Sequence, residues 1–197
     1  LYNFHYVEKV FERLVLNKNI LRFINGIQNG NSRVYDVLLS KSTQQESDTE
    51  LHSGFEGGFQ DPNQQFIIAN NNIFASFVNV GVSLVDIPNH LGFTCLPGSH
   101  KGNFKIPGDI TLYDDPPTVV NVPVNAGDVI VFTPLLRHGA RAWTEKYARY
   151  TVFMRFIFAK QFHSNESDRW PPYDHLKENI STELFQLESR DHGQRDR

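Results

Sequence analysis

GDVIVFTPLLRHGARAWTEKYARYTVFMRF, residues 127–156, is the stretch whose reading decides the fold. Gly127-Asp128 is a turn signal, and Val129 to Phe132 is a β-branched and aromatic run that reads as a strand. Thr133-Pro134 breaks it, because proline cannot donate to a strand ladder. Arg137 to Trp143 then reads as a second strand and Arg149 to Phe158 as a third. A hairpin loop over Thr144 to Tyr147 would join them and leave His138 and Arg149 on one face, since side chains alternate with period two. An imidazole and a guanidinium so placed suit a small dianion lying between a metal and an arginine fork.

Upstream the same β signal recurs. Val119 to Val124, Gly92 to Leu96, Phe66 to Ala69 and Val34 to Leu39 read as short strands. IFASFVNVGVSLVD, residues 73–86, reads as one long strand. Its Phe74, Val78, Val80 and Val82 face is apolar, and its Asn79, Gly81 and Ser83 face is mixed. A wall of that kind belongs to a barrel whose less apolar side lines a pocket. Residues 2–16 carry helical periodicity, and Asn19 is placed to cap a second short helix, so N-terminal helices are expected over about residues 2–28. Ser40 to Glu50 is polar and reads as a loop, and Asp168 to Leu187 as a surface helix. A frayed tail is expected over about 188–197. Short strands behind N-terminal helices, on connections too short for βαβ crossovers, indicate a mainly β chain. The expected fold is a double-stranded β-helix (jelly roll, cupin-like) as a single domain over residues 1–197.

Composition narrows the function. The 197 residues are 40% hydrophobic with 16 Phe, enough for one β-rich core, and the formal net charge of −3 gives no basic surface for nucleic acid. No apolar run is long enough for a membrane span. The single cysteine, Cys95, rules out an intramolecular disulfide and a cysteine-rich zinc site. A cytoplasmic location is expected. The first residue is Leu1 rather than methionine, which leaves a preceding targeting segment open.

The segments LVDIPNHLGFTCLPGSHKGNF (84–104), VPVNAGDVIVFTPLLRHGARAWT (122–144) and ARYTVFMRF (148–156) together resemble the phytanoyl-CoA dioxygenase family of Fe(II)- and 2-oxoglutarate-dependent oxygenases. The resemblance covers roughly residues 50–158. It implies an enzyme that oxidises a C–H bond of a small organic substrate and converts 2-oxoglutarate to succinate. The family holds iron on two histidines and a carboxylate, the first two in an H-x-D/E motif, leaving open positions for the 2-oxoacid and dioxygen. By position His138 is the distal histidine. Arg149, eleven residues later, matches the anchor for the distal carboxylate of 2-oxoglutarate, with Arg155 as a rival. The proximal histidine is His52, which is expected to converge with His138 on one metal.

His52-Ser53-Gly54 departs from the pattern, because Gly54 stands where the family has its carboxylate. Three readings stay open. Glu56 or Asp61 supplies the missing ligand; or two histidines alone hold the iron, with water or a halide (chloride or bromide) in the vacant position, the halide as in the 2-oxoglutarate-dependent halogenases; or the chain is a non-catalytic relative that binds metal weakly or not at all, a jelly-roll module that binds a small molecule. Asn79, Ser83 and Thr94 are expected to line the barrel, with Asn79 and Thr94 as candidate cofactor contacts. Trp143 is read as core packing or pocket wall, Asp86 as a loop cap and His100 as a turn-stabilising side chain. Lys101 is read as solvated. His5, His90, His163, His175 and His192 have no partner at ligand spacing and are assigned to the surface.

Overall fold

A computed structural model describes residues 1–44, 47–53, 64–102, 112, 116–159 and 178–189. Two four-stranded antiparallel sheets dominate it. The first, in the order β1-β10-β5-β8, is made of Ser32–Ser42, Arg149–Phe158, Phe77–Ser83 and Val129–Phe132. The second, in the order β2-β9-β6-β7, is made of Thr49–His52, His138–Arg141, Gly92–Cys95 and Val120–Asn121. A separate hairpin joins β3 (Phe66–Ala69) to β4 (Asn72–Ala75). Consecutive strands change sheets: β8 lies in the first, β9 in the second and β10 in the first again. That winding is the double-stranded β-helix. His138 and Arg149 are therefore not partners in a hairpin, as the spacing suggested. They reach one interior from opposite sheets, because the chain between Arg141 and Arg149 turns the corner of the roll instead of folding back in plane.

The first sheet separates its faces by strict alternation. Outward-facing Val37, Val80, Val152, Met154 and Phe156 are fully buried beneath the helices, and each such side chain contributes about 1.5–3 kcal/mol of transfer free energy. Inward-facing Asn79, Gly81 and Ser83 line the cavity, so the mixed face of the 73–86 segment points where its polarity required. The segment is not one strand, however. It breaks at Ser76, where the chain passes from the β3–β4 hairpin into β5. Gln28, at the C-cap of α2 (Lys18–Ile27), seals that break: its Nε2 donates to the carbonyls of Ala75 and Ser76 at 3.1 Å each and of Phe156 at 3.4 Å.

The N-terminal helices lie on the outer face, as expected. Residues 2–16 form a short 3-10 turn (Phe4–Tyr6) followed by α1 (Lys9–Val15) rather than one helix. The cap of α2 is Asn17, not Asn19: its side chain accepts from the amides of Asn19 and Ile20 at 3.0 and 3.2 Å. The polar stretch 40–50 is partly strand, since β1 continues to Ser42 and β2 starts at Thr49. The Val119 to Val124 strand shortens to Val120–Asn121.

The C-terminal part brings two corrections. The helix within the 168–187 region, α3 (Thr182–Ser189), is not a surface element: Leu184 and Leu187 are buried in the main core. Glu188 is not part of a frayed tail and His5 is not a surface histidine. Both are buried, His5 Nε2 lies 2.7 Å from Glu188 Oε1, and the Tyr6 hydroxyl donates to Glu188 Oε2 at 2.6 Å. A leucine period and a charged residue near a chain end carry no information about which remote surface will cover them. Among the described residues no helix is long and apolar enough to cross a membrane.

Candidate active site

Between the sheets lies a cavity of about 350 Å³ lined by His52, His138, Arg149, Arg155, Asn79 and Phe132, among others. His52 closes β2 and His138 opens β9, and the two are direct cross-strand partners, so their side chains leave the same face of the second sheet. Their ring centres lie 4.5 Å apart at an interplanar angle of 51°. Each ring is held by the carbonyl two residues before it: Nδ1 of His52 lies 3.0 Å from Glu50 O, and Nδ1 of His138 lies 2.7 Å from Leu136 O. With Nδ1–H donated to a carbonyl, the lone pair resides on Nε2, the tautomer that a metal takes. Phe132 and Phe93 flank the His138 ring at 4.7 and 5.8 Å. Burial lowers the His138 pKa to about 4, with the Leu136 carbonyl opposing and His52 adding to the shift. The ring is therefore neutral at ordinary pH, as a ligand must be.

Arg149 begins β10 and enters the same cavity from the first sheet. Its Nη2 donates to Ser42 Oγ at 3.1 Å, and its Cζ sits 5.7 Å above the Trp143 ring. No carboxylate meets it among the described residues. Burial pulls its pKa down, which is the mark of a cation held away from water without a counter-charge. Gly92, at φ +70°, makes room for it: a Cβ there would lie 3.2 Å from Arg149 Nη1 and 2.6 Å from Ile87 Cγ2. Arg155, six residues along the same face and about 20 Å away at strand rise, is already neutralised. Its Nη1 donates to the buried Asp36 Oδ2 at 2.9 Å. A buried charge without a partner is costly, so of the two guanidiniums Arg149 is the one that calls for an anionic ligand.

A family model described as phytanoyl-CoA dioxygenase (PhyH) matches residues 7–150. The chain belongs to the phytanoyl-CoA dioxygenase family. By class it is a non-haem Fe(II)- and 2-oxoglutarate-dependent dioxygenase. No curated protein matches the sequence. Among solved structures, apo HygX from Streptomyces hygroscopicus is 23% identical with a TM-score of 0.69, over 79% of this chain and 70% of that one. HygX with nickel, 2-oxoglutarate and hygromycin B bound is 24% identical with a TM-score of 0.67, over 76% and 65%. The apo form of ThoJ, a non-haem monooxygenase, is 19% identical with a TM-score of 0.62, over 81% and 59%. At these identities the likeness is one of fold.

The other expected positions sort clearly in this dioxygenase. Asn79 lines the cavity and sits in register with Arg155 on one side and Phe132 on the other. Thr94 does not line it. It is fully buried on the far face of β6, its Oγ1 meets no partner among the described residues, and its neighbour Phe93 lines the cavity instead. Strand alternation could not settle this, because both faces of a four-residue buried strand look alike in sequence. Trp143 lies beyond the end of β9, wholly buried against Ile87 and Leu91, where it backs Arg149. Asp86 caps a turn by accepting from Ala126 N at 2.8 Å, and His100 packs edge-on against Phe66 at 4.5 Å. Lys101 and His90 are exposed. Gly54, Glu56 and Asp61 lie outside the described residues, as do His163, His175 and His192. Among the described residues no third His, Cys, Asp or Glu joins the histidine pair in a metal-sized cluster, although Cys95 stands opposite His138 on the neighbouring strand. Sequence reasoning missed Ser42, which lies in a stretch read as loop, and Gly92 and Gly139, whose roles depend on what approaches them.

Proposed function

We propose that His52 and His138 hold the iron through Nε2 and that Arg149 binds the C5 carboxylate of 2-oxoglutarate. The observation that carries the reading is the pairing of two histidines, each with Nδ1 engaged by a carbonyl, with one cavity guanidinium that meets no carboxylate among the described residues. The donor set fits a divalent iron centre, since two imidazoles leave several coordination positions open. Bound there, iron would supply the oxidising chemistry of the class, in which one atom of dioxygen would end in a hydroxylated substrate and the other in succinate, with carbon dioxide released from 2-oxoglutarate. The residues do the rest. Arg149 orients the 2-oxoacid by a two-pronged bond that lysine cannot make. Phe132 and Phe93 exclude water from one side of His138, and Asn79 offers an amide to cofactor or substrate. The cavity volume suits a small-molecule substrate, and HygX, which shares the fold, supports that reading because it binds hygromycin B. A cytoplasmic location accords with the lone cysteine.

The test is anaerobic titration with Fe(II), followed by succinate assay on addition of oxygen. One equivalent of iron, lost in both His52→Ala and His138→Ala, is the expected result. A chain that binds 2-oxoglutarate but no metal would be a binding module instead.

Gly54 favours a second reading, in which chloride or bromide takes the position its missing side chain leaves free. Gly54→Asp would then abolish halide incorporation by mass spectrometry while leaving iron binding intact. If Glu56 or Asp61 is the ligand, Glu56→Ala or Asp61→Ala releases iron and halide changes nothing.

A further inference from the structure

We infer that Gly139 is a positioning residue for the metal centre: by lacking a Cβ it admits the β2 bulge whose carbonyl sets the His52 ring. The inference rests on His52 and His138 being the metal ligands. Thr49 pairs with Ala140 and His52 with His138, so three steps along β2 match two along β9. One extra residue is therefore accommodated in β2 opposite Gly139, which is a bulge. A Cβ on Gly139 would collide with the Thr49 carbonyl oxygen and lie 3.1 Å from both C and O of Glu50. Backbone atoms, unlike a flexible side-chain end, cannot swing aside. That same Glu50 carbonyl lies 3.0 Å from His52 Nδ1.

The bulge does two things at once. It shifts the phase of β2 so that His52, one residue late in a regular ladder, faces His138 on the cavity side; a one-residue slip would turn it to the opposite face. It also contains the Glu50 carbonyl that meets the ring at 3.0 Å. Flanking contacts clamp it. Asp48 accepts from Ala142 N at 2.8 Å and pairs with Arg141 at 3.0 Å, and the Glu50 carboxylate accepts from Leu112 N at 3.0 Å. With the backbone held on both sides, a methyl group at position 139 has its effect on the Thr49–Glu50 peptide, and through it on His52.

The test measures metal affinity rather than turnover, with Zn(II) and Co(II) as probes. Gly139→Ala should keep its far-UV spectrum and lose about 10- to 100-fold in affinity, the usual effect of removing an outer partner of a ligating histidine. His52→Ala is the benchmark. If it leaves affinity unchanged, the metal-site reading fails. If it lowers affinity while Gly139→Ala does not, only the role of Gly139 is overturned. Nitrogen-15 imidazole spectra of the Zn(II)-loaded wild type provide an independent readout should Gly139→Ala not fold. They should show His52 protonated on Nδ1 and bound through Nε2, and metal on Nδ1 would overturn the inference.

Discussion

Arg149 is the residue on which the cofactor proposal turns. Among the described residues this guanidinium meets a serine hydroxyl and an aromatic face and no carboxylate, which leaves most of its donors unspent there. Arg149→Ala should weaken 2-oxoglutarate binding by about 2–5 kcal/mol, the range for truncating one partner of a buried hydrogen-bonded charge pair. Arg149→Lys should restore only part of it. Calorimetric titration of 2-oxoglutarate into the Ni(II)-loaded protein measures both, and an unchanged affinity in the alanine variant would move the role to Arg155. His138 makes a pH prediction. Its folded pKa, about 4, lies below the ordinary 6.5, so between those values the unfolded chain binds the extra proton. The His138 contribution to the stability of the metal-free protein should be flat above pH 6.5, fall as the pH drops toward 4, and level off below. Urea midpoints at pH 7 and 5 test this, and His138→Asn should remove that part of the slope.

The elements meet at a few seams where single side chains join them. Gln28 binds α2 to the break between β4 and β5 and to β10, giving one amide to three carbonyls inside the core. Gln28→Ala removes the side-chain donor from all three, with the Ser76 carbonyl keeping the Phe158 amide at 2.8 Å, at a cost of about 1–3 kcal/mol in chemical denaturation. Metal affinity should not change, since the seam lies on the outer face of the first sheet. A variant that lost metal but kept its stability would contradict the separation of helical core from cavity. Trp143 is another seam: its Nε1 donates to Tyr147 O at 2.6 Å, bracing the corner that carries the chain from β9 to β10.

At the scale of the molecule, the described N- and C-terminal segments fasten to each other on the outside of the first sheet. Glu188 takes bonds from His5 and Tyr6, while Glu12 accepts from Ser181 N at 3.1 Å. These contacts close α3 over the same apolar face that α1 and α2 cover. Glu188→Ala should lower stability by about 1.5–3 kcal/mol for each bond lost to a charged group. It should also raise the rate of proteolysis near α3. An unchanged melting temperature and cleavage pattern would show the clamp to be dispensable.

Periodicity and turn chemistry by themselves determined most of the strands, the presence of N-terminal helices and the polar side of β5, because these follow from neighbours within a few residues; β2 and the break at Ser76 they did not reveal. The motif around His138 and Arg149 was legible as a resemblance to the family pattern along one stretch, whereas the hairpin inferred from its spacing did not form. Tertiary structure decided the rest. That His138 and Arg149 enter from opposite sheets depends on a corner in the chain, which has no local signature. Phe93 rather than Thr94 lines the cavity, which a short strand buried on both faces does not reveal in sequence. His5 and Glu188 became a buried pair because residues 183 apart met. Gly139 reads as an ordinary glycine until β2 lies against it, and only then does the missing methyl become the space that lets His52 face His138.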